Sequence, residues 1–198
     1  MTEPQIRRLT DPEALKGLTH PLRRKLYDEL IHFGPATVST LAARLSADPG
    51  QISYHLRELG KRGFIEEAPE YARDRRERWW RPVPGSVSWS NSAFPEPAGR
   101  AVADTVFQQM ITDQFERLQE FNAARETWPA EWAAASTTSN SHLRLTPEEL
   151  RALSEELNAT LRRWSDVGRP DPAVHPDDLP DDGRSAVYLF FHAFPERP

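Results

Sequence analysis

Cysteine is absent from the 198 residues, glycine is scarce at 9, and no apolar run approaches the ~18 residues that a membrane span requires. The missing thiol excludes disulfide scaffolds, thiolate metal sites, thiol nucleophiles and redox switches together. The opening stretch, MTEPQIRRLTDPEALKG, is polar and has no signal-peptide-like apolar centre. A soluble, cytoplasmic protein without a membrane partner is the expectation. Also missing are the glycine-rich phosphate loop, the dinucleotide glycine pattern and GxSxG. The paired acids Glu148 and Glu149 are explained by helix capping. The inventory predicts no enzyme and no cofactor.

Proline, in contrast, is abundant at 18 residues, which predicts abrupt element boundaries and stiff linkers. The formal net charge of −5 is at first sight wrong for a nucleic-acid partner. It is unevenly distributed, however. Residues 1–82 hold 15 Lys+Arg against 12 Asp+Glu, a net of +3, and residues 83–198 hold 10 against 18, a net of −8. The acidic half is therefore expected to face away from any phosphates bound by the basic half.

Residues 11–33 read as two helices. The first starts at Asp11-Pro12-Glu13 and the second at Thr19-His20-Pro21, with Leu22, Leu26, Leu30 and Ile31 on one face and Gly34 as the stop. A short helix, VSTLAARL, is followed by the tight turn Ser46-Ala47-Asp48. The next helix turns Ile52, Leu56 and Leu59 inward and ends at Gly63. Phe64–Glu67 and Arg78–Arg81 read as strands around a polar loop. Helix, helix, short helix, turn, helix, hairpin is the order of a winged helix-turn-helix.

In such a unit the helix after the turn enters the major groove. Its outward residues are predicted to be Gln51, Ser53, Tyr54, Arg57 and Lys61, with His55 at the margin. Gln51 suits a bidentate pair with adenine and Arg57 a pair with guanine or a phosphate, while Ser53 and Tyr54 can donate to phosphates. At the hairpin tip Arg73, Arg75, Arg76 and Arg78 place four cations within six residues, a composition suited to phosphate or minor-groove contact. A solvated surface also carries such residues; the agreement of turn, caps and hairpin favours DNA.

Residues 83–97 read as a proline-rich connector. A long helix follows over about 98–127, with Val102, Val106, Phe107, Met110, Ile111, Gln114, Leu118 and Phe121 along one stripe. A stripe of that length wants a partner, and a second copy is the simplest, with Val106, Met110, Leu118 and Phe121 as its candidate interface. Beyond it, His142–Leu145 reads as a strand and Thr146-Pro147-Glu148-Glu149 as a capping-box helix start. Residues 167–184 read as an exposed loop rich in proline and aspartate, and Ser185–Phe194 as a buried strand. The predicted class is α+β: a winged helix-turn-helix over 1–82, the 83–97 connector, and a long dimerisation helix with a small α/β region over 98–198.

Trp128, Trp132, Trp164, Tyr188 and Phe190 in this second half make either the core of that region or the lining of a pocket for an apolar small-molecule effector; the two can share residues. His142, His175 and His192, with Asp177 and Asp178, show no HxxxH or HExxH spacing, so no metal is assigned.

The segment GLTHPLRRKLYDELIHFGPATVSTLAARLSADPGQISYHLRELGKRGFIEE resembles the winged-helix domain of ArsR-type bacterial transcription regulators, most of all their large non-metal subgroup in actinobacteria. The marks are HPLRRKLYDEL, its spacing to LAARL, and ISYHLRELGKRGFI, covering about residues 10–82. LRLTPEELRALSEEL with the terminal VYLFFHAFP is similar to the C-terminal half of some of these proteins. The resemblance implies a homodimer that binds a palindromic double-stranded DNA operator and mostly represses. Metal-sensing members use cysteines in the short helix or Asp/His clusters on the dimer helix. Here VSTLAARL has no thiol and residues 98–127 no histidine, so that activity is not carried over. Rival readings are a winged-helix interaction module that does not bind DNA, an enzyme built on the C-terminal half, and a regulator that has lost ligand control.

Overall fold

Four helices begin where a capping side chain precedes a proline, which is where much of the proline excess goes. Asp11 caps α1 (Pro12–Leu15), His20 caps α2 (Pro21–Phe33), Asp48 caps α4 (Pro49–Lys61) and Thr146 caps α7 (Pro147–Val167). Proline at the first position sacrifices only an N–H that the helix leaves orphaned. α3 (Val38–Leu45) is capped by Thr37 and closes on Ser46, whose left-handed φ of 49° makes the tight turn into α4. Gly63, at φ 71°, ends the chain's run through α4 and redirects it into the sheet.

The computed structural model describes residues 6–74, 76–89, 93–168 and 174–196. These fall into two units: Met1–Asp113 with His175–Asp178, and Gln114–Val174 with Leu179–Pro198.

In the first unit, β2 (Ala36–Thr37), β3 (Ile65–Glu67) and β4 (Trp79–Pro82) form an antiparallel sheet in the order β2-β4-β3, with Glu66 opposite Arg81 and Ala36 opposite Trp80. A second, parallel pair joins β1 (Ile6–Arg8) to β5 (Ser86–Ser88). Helices and hairpin stand in the order expected of a winged helix-turn-helix. The core is one cluster: Leu15, Leu26, Leu30, Leu41, Ile52, Leu56, Leu59, Phe64 and Ile65 are all at most 2 % exposed. Tyr27 joins it edge-on to Phe64 at 5.4 Å, and burial pushes its hydroxyl pKa up to about 12. Ile31, expected on the buried face of α2, is instead half exposed. Within 83–97, Phe94 is buried in this core and Val87, Trp89 and Ala93 pack against it.

α5 (Pro97–Ala123) begins in the first unit, where Ala103 and Val106 are buried. Arg24 of α2 holds this stretch through Asp113 at 2.9 Å and Gln109 at 2.6 Å.

The second unit holds the rest of α5, then α6 (Ala130–Ala135) and α7. Thr146 and Glu149 close the expected capping box at 3.2 and 2.7 Å. Two expectations fail here. His142–Leu145 and Ser185–Phe194 run without regular secondary structure and are largely exposed, not paired or buried as strands. A β-forming segment becomes a strand only against a partner edge, and the described residues of this unit supply none. Every buried hydrophobic side chain described belongs to the first unit; among the described residues of the second, only Gln114 is buried, its carboxamide oxygen 2.7 Å from His192 Nε2.

Candidate nucleic-acid interface

α4 is placed by its cap and its inner face together. The Asp48 carboxylate accepts the Gln51 N–H at 3.0 Å, while Ile52, Leu56 and Leu59 are fully buried. That leaves Gln51, Tyr54, Arg57 and Lys61 exposed on the opposite face and Ser53 half-buried. Gln51 and Arg57 stand six residues apart, about 9 Å along the axis at 1.5 Å per residue, a span of two to three base steps.

The Arg57 Nε–H donates to the Ser53 carbonyl at 3.2 Å, which holds the guanidinium along the helix. Lys61 is bound to Glu58 at 2.7 Å, and that contact lowers the Glu58 carboxyl pKa.

His55, expected at the margin of the outward face, is instead 9 % exposed and turned against the imidazole of His20 at 4.3 Å. It cannot reach a base edge from there. Its Nδ1 is buried without a hydrogen-bond partner among the described residues. Burial is the main cause that lowers the pKa of both rings. Arg23 and Arg24 add to the effect on His20, and His20 and Arg23 to that on His55. The pair therefore favours its neutral form.

The hairpin β3–β4 forms the wing. Its base is stiffened by Arg81, which donates to Glu66 at 2.8 Å and also pairs with Glu70; the Glu66 bond is the main cause that raises the Arg81 pKa. At the tip, the Glu77 carboxylate accepts the Arg73 N–H at 2.8 Å and the Trp79 indole N–H at 3.3 Å.

Arg73, Arg76 and Arg78 are exposed as expected, while Arg75 lies outside the described residues. Arg78 faces Glu67 at 3.7 Å, and Arg73 donates to both carboxylate oxygens of Asp178 at 2.8–2.9 Å. The last contact crosses 105 residues of sequence, and no local signal announces it.

The candidate effector residues are dispersed on the surface of the second unit. Trp128, Trp164 and Tyr188 are exposed, and Trp132 and Phe190 are half-buried. Ring contacts join Tyr188 to Phe190 at 6.1 Å, Phe190 to Phe115 at 6.2 Å and Trp128 to Phe121 at 6.5 Å. Of the candidate interface residues, Val106 is buried in the first unit, while Met110, Leu118 and Phe121 are half-buried. Among the described residues, no group of three or more His, Asp or Glu is placed to hold a metal ion, and no helix is long and apolar enough to cross a membrane.

Residues 18–68 match the family model of a helix-turn-helix domain. The match runs from the end of the turn before α2 through β3 of the wing, so it covers α4 with its Asp48 cap and its buried inner face. A possible transcriptional regulator for arsenical resistance is similar at 29 % identity, with 54 % of this chain and 93 % of that one covered and a TM-score of 0.31. A transcriptional regulator from Thermotoga maritima is similar at 14 % identity, with 79 % and 89 % covered and a TM-score of 0.32. No curated protein matches the chain.

Proposed function

We propose that the chain is a sequence-specific DNA-binding transcription regulator of the ArsR type, without catalytic activity, acting in the cytoplasm. The observation that carries this reading is the row Gln51, Tyr54 and Arg57, exposed on a capped helix inside the matched helix-turn-helix segment. α4 enters the major groove, Gln51 and Arg57 read base edges, and Ser53, Tyr54 and Lys61 hold the backbone. Arg73, Arg75, Arg76 and Arg78 contact the flanking phosphates. In this division of labour residues 1–82 bind DNA, 83–97 connect, and 98–198 dimerise and receive an effector.

The operator is a palindrome, bound by a homodimer that represses. Support for the dimer comes from the second unit. Among its described residues it exposes thirteen large apolar side chains, among them Leu143, Trp164, Val187, Leu189 and Phe194, and buries none. A unit of this size without a core lacks the main source of folding free energy. A second copy supplies the cover. An apolar effector would lie among the same aromatics, around Tyr188 and Phe190.

Capture of genomic fragments by the purified protein, followed by anisotropy titration on the recovered sequences, tests the reading. A palindromic consensus bound about a thousandfold or more above random duplex supports it. Recovery of no common sequence, with no salt-sensitive binding, returns the protein to the class of interaction modules.

A further inference from the structure

The acidic second half of the sequence was expected to stand clear of the phosphate-binding surface, yet one piece of it lies on the wing. Residues His175–Asp178 belong to the first unit. The His175 ring meets Trp79 edge-on at 5.0 Å and Tyr71 at 6.0 Å, and its Nε2 lies 2.9 Å from the Tyr71 carbonyl. A carbonyl can only accept, so Nε2 carries the proton. In the neutral ring Nδ1 is then an acceptor, and it takes the Asp177 N–H at 3.2 Å and an Arg73 N–H at 3.2 Å. The turn that follows sets Asp178 against the same guanidinium, both carboxylate oxygens accepting from Arg73 Nη2. The result is an anchored histidine with a carboxylate gathered on one nitrogen of a wing arginine, where a phosphate oxygen would otherwise be held.

We propose that His175–Asp178 is an autoinhibitory clasp: docked, it occupies Arg73 and keeps a DNA phosphate from it, and firm DNA binding requires its release. This rests on the DNA-binding reading of the wing. The physical logic is competition for one guanidinium. The Arg73–Asp178 pair is more than half exposed, so the ion pair alone is weak. The His175 slot between Trp79 and Tyr71 adds the burial that localises the carboxylate. The contact is thus strong enough to be populated and weak enough for phosphate to displace. Apparent affinity for DNA is the open-state affinity multiplied by the fraction of molecules with the clasp open.

Anisotropy of a labelled random-sequence duplex with the full chain, repeated over a salt series, decides the matter. Asp178→Asn and His175→Ala are each expected to tighten binding about three- to tenfold. The salt slope of the Asp178→Asn variant should steepen by about 0.9 as Arg73 gains a phosphate. Asp181→Asn makes the same charge change in the same loop, at a carboxylate that accepts the Gly183 N–H, and should move affinity less than about twofold. The gain from Asp178→Asn should vanish in an Arg73→Ala background. Asp178 is exposed, so its variant carries the test even where His175→Ala loosens the wing. An Asp178→Asn affinity no tighter than that of Asp181→Asn overturns the clasp while leaving the DNA reading intact. Failure of every variant and of the parent to bind duplex overturns the DNA reading, and the clasp with it.

Discussion

His55 on α4 stacks against His20 at the cap of α2, ring centres 4.3 Å apart and planes tilted by 37°, so that a buried titratable ring lies against an exposed one. His20 is fixed as an acceptor by the Leu22 N–H at 3.2 Å. Both rings have pKa values lowered first by burial, and Arg23 faces both of them, with Arg24 beside His20. Glu58, on the same helix as His55, opposes the shift there without cancelling it. The unfolded chain binds more protons than the fold below the ordinary histidine pKa of about 6.5. Stability from this pair is therefore fully present above that value and is lost as pH falls below it. Urea midpoints measured from pH 8 to 5.5 should drop on the acid side, and His55→Leu should flatten the drop. Identical pH profiles for parent and variant would show that the pair is not linked to folding.

Arg57→Ala is expected to weaken specific operator binding by about 1–3 kcal/mol and to relax the preference at one position. Gln51→Ala should do the same at a neighbouring position, whereas Arg76→Ala should lower affinity for all sequences and reduce the salt slope by about 0.9. Competition titrations over operator variants separate these outcomes. An Arg57 variant with unchanged affinity and unchanged preference would remove that residue from base reading.

Gly17 is required by packing rather than by backbone freedom. A Cβ at this position would lie 2.7 Å from Phe64 Cε2 and 2.8 Å from Arg62 Cδ. Phe64 is fully buried, so its ring has little room to retreat. Gly17→Ala is expected to cost about 1–3 kcal/mol by overpacking, and Phe64→Ala about 3–5 kcal/mol through a cavity. Denaturant unfolding of the three proteins checks both values, and a neutral Gly17→Ala would show that the site relaxes.

Self-association is the expected fate of the second unit. Phe194 and Val187 are about 70 % exposed, so Phe194→Ser and Val187→Ser have little to lose within one chain. They should leave secondary structure unchanged and raise the dimer dissociation constant by tenfold or more, the worth of about 1.4 kcal/mol. Sedimentation velocity over a concentration series measures this. A chain that is monomeric at high micromolar concentration, parent and variants alike, would refute the dimer.

The first unit was largely legible because its signals are local. Asp11-Pro12 and Asp48-Pro49 mark helix starts by a side chain two or three residues from the N–H it accepts. Leu26, Leu30, Ile52, Leu56 and Leu59 declare inner faces by spacing alone. β1 and β5 were not legible: three residues each, they are strands because they pair with each other across eighty positions. Ser185–Phe194 is the reverse case: its composition is β-forming, but the described residues of its own unit offer no strand edge to join.

The net charge of the two halves, the absence of thiol chemistry, the caps and the outward row on α4 were determined by the sequence alone, since each depends on residue type or on neighbours within one helical turn. Tertiary structure alone decided that His55 turns inward to His20, that Arg24 holds α5 through Asp113, and that Asp178 sits on Arg73. Those pairings join residues 35 to 105 positions apart. Which distant charge or ring meets which follows from how the core packs, and no periodicity along the chain encodes it.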